Sequence, residues 1–271
     1  MTDISTLAAE TSRLLNFYQG AESTINTKLN QVLQSEVKKR YDYYVDAENG
    51  DDANPGTEAE PFRTLNKFAS ILFPLRFGSN NGHYNIYLKT NQVYTLSNYT
   101  LHNNGASLNF LPYGDVTYSL YGHLRSVSNR PTIVMDGLAL FNNTSGSMNF
   151  NFVNIDSTNC THTTAWMVLR TNSKLAITSS ILKTNITNRI SVQSSSNYLY
   201  FSNIELTSDL LTPDNKGGYT WLYLSNDQSA FVNIVNLVRG QGYSTYTLRE
   251  IIRGSTDMMV GNLKGLIESD V

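Results

Sequence analysis

Phe150-Asn151-Phe152-Val153-Asn154-Ile155 alternates apolar and polar residues and then places an asparagine before a last apolar one. The pattern returns at Leu199-Tyr200-Phe201-Ser202-Asn203-Ile204, at Val232-Asn233-Ile234-Val235-Asn236-Leu237 and at Met258-Met259-Val260-Gly261-Asn262-Leu263. Weaker copies are Leu175-Ala176-Ile177-Thr178-Ser179, with serine in the asparagine place, and Ile133-Val134-Met135-Asp136-Gly137-Leu138, with glycine there. The matched positions 137, 154, 179, 203, 236 and 262 are 17, 25, 24, 33 and 26 residues apart. Such spacing points to stacked repeats with loops of varying length. Asparagine suits a bend because it tolerates the left-handed backbone, and stacked amides can bond from repeat to repeat.

A second set of strands lies upstream of these, in Trp166-Met167-Val168-Leu169, Ile190-Ser191-Val192 and Trp221-Leu222-Tyr223-Leu224. Beyond residue 84 short runs rich in Tyr, Val, Ile and Thr alternate with Asn, Ser and Gly clusters, the mark of many short strands. Two or more strands per repeat predict an all-β body wound as a parallel β-helix, a solenoid. The competing fold is an antiparallel sandwich, which would place hairpin turns every 8 to 12 residues or so.

Ahead of the body, Ile4, Leu7, Thr11, Leu14, Tyr18, Ala21 and Ile25 follow a 3-4 alternation, and one extra four-residue step near Leu29 acts as a stutter. This predicts an N-terminal α-helical coiled coil that projects as a stalk, against the alternative of one amphipathic helix lying on a globular core. The stretch from Asp46 to Thr57 is dense in Asp, Asn, Gly and Pro, which is turn chemistry. Its acidic residues Asp46, Glu48, Asp51 and Asp52 lack the order of a calcium loop and are read as a solvated turn. Leu65, Phe68, Ala69 and Leu72 then have helical spacing behind Thr64 as N-cap, a short capping helix for an open core. The chain is therefore read as a stalk over 1–40, a lead-in strand, turn and capping helix over 41–82, and a β-helix body over 83–271.

Tyr44-Val45-Asp46-Ala47-Glu48-Asn49-Gly50-Asp51-Asp52-Ala53-Asn54-Pro55-Gly56-Thr57, followed by Pro61-Phe62-Arg63-Thr64-Leu65 after a helical leader, resembles the start of the pectin-lyase-like β-helix domains of bacteriophage tail fibres and tailspikes. The resemblance is close over 41–72 and architectural over 84–271. It implies a right-handed parallel β-helix and a homotrimer in the virion tail. The N-terminal helix would attach to other tail or baseplate proteins, and the body would meet host surface polysaccharide. The chain departs from the larger tailspikes in being short and in lacking a recognisable C-terminal trimerisation module.

With Leu222 and Leu224 turned inward, period-two geometry sends Tyr219, Trp221 and Tyr223 outward together. Trp166 holds the equivalent place two repeats away, so the two indoles are expected roughly 10 Å apart in one column. Trp166, Tyr219, Trp221 and Tyr223 are thus the candidate carbohydrate-binding residues, with burial between subunits of a trimer as the alternative.

Catalytic signals are weak. A glycoside hydrolase wants two carboxylates about 5 to 9.5 Å apart, and Asp136, Asp156, Glu205, Asp209, Asp214 and Asp227 form no repeated column. The histidines 83, 102, 123 and 162 lack ligand spacing, Cys160 adds too little for zinc, and Ser191 to Ser196 holds no nucleophile elbow. No catalytic residue, metal or cofactor is assigned. The net charge of −2 argues against nucleic acid as partner. No run of about 18 apolar residues and no signal-peptide pattern occurs, so a virion protein made in the host cytoplasm, with no membrane insertion, is expected. The expected function is adsorption to cell-surface polysaccharide without cutting it. The alternatives are a polysaccharide-degrading tailspike and a purely structural tail or baseplate component.

Overall fold

A computed structural model describes residues 4–36, 40–72, 82–116, 118–121, 124–127, 129–162, 165–184, 189–194, 196–208, 221–224, 230–242, 252–253 and 260–264. The chain divides into two units, residues 1–39 and 40–271.

The first unit is one helix, α1 (Ile4–Glu36). Its seam residues Ile4, Leu7, Leu14, Tyr18 and Ile25 are exposed, and so are Leu15 and Phe17, which lie off the seam. The coiled-coil stalk is corrected on this point. The exposed apolar residues spread into a stripe wider than a 3-4 seam, the pattern of an amphipathic helix, and none of its described side chains is buried.

In the second unit β1 (Arg40–Val45) is followed by α2 (Leu65–Leu72) and then by β2 (His83–Lys89), β3 (Val93–Ser97), β4 (Thr100–Tyr113), β5 (Tyr118–Tyr121) and β6 (Leu124–Val127). Next come β7 (Thr132–Asp136), β8 (Leu140–Asn151), β9 (Asn154–Asp156), β10 (Met167–Leu169), β11 (Ser173–Thr178) and β12 (Ile181–Lys183). The last are β13 (Ile190–Val192), β14 (Asn197–Thr207), β15 (Leu222–Leu224), β16 (Ala230–Arg239), β17 (Ile252–Arg253) and β18 (Val260–Lys264). Among the described residues only β5 and β6 pair antiparallel. The other sixteen belong to one parallel sheet.

That sheet curls into a half-barrel, which overturns the solenoid expectation. The strands are not separate faces of a closed β-helix. The long strands β4, β8, β14 and β16 each turn through a bend at which the ladder is interrupted: the β4–β8 register shifts at Asn103/Asn104 and again before Ser107, and the β14–β16 register skips Asn203 and Asn236. They do so because single residues inside or beside them take the left-handed backbone: Gly105 and Gly146 at φ 89° and 94°, Asn203 and Asn236 at φ 54° and 56°. A sequence repeat reports which strand lies beside which. It does not report how far the sheet closes.

Along the middle of the sheet run β1, β2, β4, β8, β11, β14, β16 and β18. Their inner faces supply Ile86, Phe110, Phe150, Ile177, Phe201 and Ile234 in register, and all six are fully buried. Phe110 and Phe150 stack at 4.7 Å and 4°. At the start of the body α2 lays Leu65, Phe68 and Leu72 onto the same core, each worth on the order of 2 kcal/mol in apolar burial. Thr64 caps α2, its Oγ1 accepting from Lys67 N at 3.1 Å.

The turn before α2 is more than a solvated loop. Asp52 accepts from the backbone N of Arg63 and Thr64 and from Thr64 Oγ1, at 3.0, 2.9 and 2.7 Å, and so fixes the start of the helix. Asp46 is 3 % exposed. Burial alone would raise its pKa, but hydrogen bonds from Lys89, Gln92 and the backbone of Asn49 and Glu48 outweigh it and hold the carboxyl well below the usual range.

The asparagine file is also corrected. The bend column reads Phe152, Ser179, Asn203 and Asn236, all at positive φ and joined by Phe152 N to Thr178 O and Ser179 N to Ser202 O. Asn154 lies two residues past that bend and accepts from Ile181 N at 2.9 Å. Asn262 is in register with Asn233, and Gly137 bridges Cys160 at a different bend.

Candidate functional site

On a strand with its odd positions buried, the even positions must face solvent. In β14, Tyr198 is exposed and Tyr200 half-buried between buried Asn197, Leu199 and Phe201. In β11, Lys174 is exposed and Ala176 half-buried between buried Ser173, Leu175 and Ile177. The middle strands from β1 to β16 therefore present one outer face, about 30 Å long at a spacing of about 4.8 Å per strand.

A hydrogen-bonded amide ladder runs up its first half. Asn85 Nδ2 donates to Asp42 at 2.6 Å, Asn109 Nδ2 to Asn85 Oδ1 at 2.9 Å, and Asn149 Nδ2 to Asn109 Oδ1 at 2.7 Å. Ser147 Oγ donates to Ser107 Oγ at 2.9 Å beside it. Every donor points toward the earlier strand, so every acceptor is turned toward the later one. The ladder ends at β11, where Ala176 stands in register with Asn149.

Aromatic rings hold both ends of the face. At the first end Tyr44 stacks on Tyr87 at 4.7 Å, and Tyr113 meets Tyr44 edge-on at 5.1 Å. Partial burial, then the carboxylates of Asp46 and Glu58, push the Tyr113 phenol above its ordinary value, so it stays a neutral donor. At the other end Tyr198 and Phe231 stack at 5.1 Å and 6°. Charges are sparse. Among the described residues the ion pairs are Arg40–Asp42 at 3.2 Å and Lys89–Asp46 at 2.7 Å, and Lys174 is in neither. No group of three or more His, Cys, Asp and Glu able to hold a metal occurs among the described residues.

Of the residues expected to bind sugar, Trp166 and Trp221 lie in the core. Trp166 and Trp221 are in equivalent places two repeats apart, linked through Arg189 and Ile190 by Trp166 N to Arg189 O and Ile190 N to Trp221 O. Both are fully buried, Trp166 edge-on to Phe141 and Trp221 against Phe201. Each precedes the first residue of its strand, β10 or β15, and sits in a bend where strand alternation has not begun, so its ring turns into the core. Tyr223 is half-buried, with the Arg189 guanidinium 4.0 Å from its ring centre. Tyr219 lies outside the described residues, as do Asp209, Asp214, Asp227 and His123. Trp166 and Trp221 thus form no outward column.

Tyr198, Tyr200 and Phe231 were within reach of the same period-two logic, since they occupy the outward positions of the repeat itself.

Neither a protein-family model nor a curated protein matches this chain. Among solved structures it is similar to a GH136 lacto-N-biosidase from Eubacterium ramulus, at 14 % identity and a TM-score of 0.20, over 93 % of this chain and 54 % of that one. The chain spans about half the length of that protein. At that level of similarity neither family nor activity carries across.

Proposed function

We propose that this chain is the adsorption protein of a phage tail, a tail fibre or short tailspike, which holds cell-surface polysaccharide on the outer face of its curled parallel sheet and does not cut it. One observation carries the reading: a weakly charged outer face on which an amide ladder from Asp42 to Asn149 lies between aromatic groups at both ends. Asn85 is buried, but half-buried Asn109 and Asn149 keep a second amide hydrogen and spare lone pairs for sugar hydroxyls, and ring faces offer stacking to the C–H side of a pyranose. A polymer of repeating sugars meets a face that itself repeats from strand to strand. The exposed apolar stripe of α1 supports self-association to a homotrimer and attachment to other tail or baseplate proteins.

The test is retention of the purified protein on a panel of bacterial capsules and lipopolysaccharides, with the supernatant assayed for reducing ends and unsaturated sugars. Saturable retention without product supports the reading. Product release overturns the non-cutting role, and no retention on any member overturns adsorption. Mass in solution reports the oligomer, and a monomer overturns the trimer.

A further inference from the structure

The amide ladder stops at one small residue, and the groups around that residue are unspent. Ala176 is in register with Asn149 on one side and Tyr200 on the other. Those neighbours are two strand spacings apart, about 10 Å, and only a methyl group fills the outer face between them. Asn149 has committed its Nδ2 to Asn109, so its Oδ1 is turned toward the gap. Ser147, diagonal to Ala176, has committed its proton to Ser107 and keeps its lone pairs. Phe231 covers one face of the Tyr198 ring, and the opposite face is turned toward β11. Lys174, two residues before Ala176 on the same outer face, is exposed and in no ion pair among the described residues.

We infer that the space over Ala176 is a subsite for one acidic sugar residue, with its ring against Tyr200, its carboxylate at Lys174 Nζ and a hydroxyl donated to Asn149 Oδ1. The donor set selects the class. The ladder leaves acceptors facing the gap, which suit sugar hydroxyls, and the strongest donor at the site is an ammonium with no carboxylate partner among the described residues. A carboxylate on the ligand completes it with a charge-assisted hydrogen bond. A pyranose is thin enough to stand between an amide and a phenol ring at this separation, and a larger side chain at 176 would take its place. The inference rests on the reading of the outer face as a glycan surface and adds the position and the sugar class.

The experiment uses the full chain and oligosaccharides containing glucuronate, galacturonate or N-acetylneuraminate, each beside its carboxyl-reduced counterpart. The wild type is expected to bind at least one acidic oligosaccharide tighter than its reduced form by about tenfold, the scale of one charge-assisted bond, with affinity falling as salt rises. Lys174→Gln is expected to remove that preference and the salt dependence. Ala176→Phe is expected to abolish binding while circular dichroism and melting stay those of the wild type. If Ala176→Phe does not fold, Lys174→Gln still decides, because it changes only an exposed side chain. Equal binding of acidic and reduced sugars overturns the acidic class. Wild-type affinity in Lys174→Gln, or in folded Ala176→Phe, overturns the subsite while leaving glycan adsorption standing. Failure of the wild type to hold any polysaccharide of the wider panel removes the adsorption reading itself, and the subsite with it.

Discussion

Asn236 Nδ2 donates to Asn203 Oδ1 at 2.9 Å, and both residues hold a left-handed backbone, at φ 56° and 54°. The two facts belong together. The bend that β14 and β16 share needs a residue that tolerates positive φ, and the amide that tolerates it also bonds its neighbour in the next strand.

Substitution at Asn203 should therefore separate backbone from amide. Asn203→Gly keeps the conformation and loses only the side-chain bond, for about 1 kcal/mol. Asn203→Val loses the bond and forces a β-branched residue into the left-handed region, for about 2–3 kcal/mol in all. Urea unfolding midpoints measure both. Equal destabilisation by the two variants would mean that the bend imposes no conformational demand.

Phe152 occupies the same bend column at φ 56°, a conformation that bulky side chains adopt at a cost. Phe152→Asn should stabilise the body by about 1 kcal/mol, because asparagine carries less of the left-handed penalty. A lower melting temperature in this variant would show that the phenylalanine ring contributes more by contact than its backbone costs.

Phe152 also marks where the repeat ceases to be legible. The copies beginning at Leu175, Leu199 and Val232 pair as their sequence pattern matches, Leu175 with Leu199 and Leu199 with Val232. The first copy is displaced by two residues, with Phe150 rather than Phe152 beside Ile177, and the last by three, with Asn262 beside Asn233. A slip of two leaves inward and outward sides unchanged, so hydrophobic alternation is blind to it. The slip of three follows from the irregularity between Val232 and Asn233, which no spacing in the chain announces. The helix at Leu65–Leu72 was readable because cap and apolar spacing are both local. Closure of the sheet and the facing of Trp166 depend on bends, where neither period applies.

The burial of both tryptophans carries its own consequence. Trp166→Ala and Trp221→Ala should each cost about 3–5 kcal/mol, the range for emptying an aromatic site in a packed core. Whatever fraction folds should keep its glycan retention, because neither indole reaches the outer face. Loss of retention at unchanged stability would restore the indoles to the binding surface.

Asp46 makes the stability of the body depend on pH in the acid range. Its carboxyl accepts from Lys89 Nζ at 2.7 Å, Gln92 Nε2 at 2.8 Å, and the backbone N of Asn49 and Glu48 at 3.0 and 3.1 Å. Its folded pKa lies below that of an unfolded aspartate, about 3.9. The unfolded chain thus binds the proton more readily, and stability rises with pH across the interval between the two values. The contribution is complete above about pH 4 to 5 and is lost progressively as the pH falls below that. Asp46→Ala should cost about 2–3 kcal/mol at neutral pH, since it strands buried Gln92 and two backbone donors. The difference between wild type and Asp46→Ala should shrink between about pH 4 and pH 2. Unfolding midpoints of the two proteins across that range measure it. A gap that stays constant down to pH 2 would show that the carboxylate charge contributes nothing, and that the turn is held by the shape of its hydrogen bonds alone.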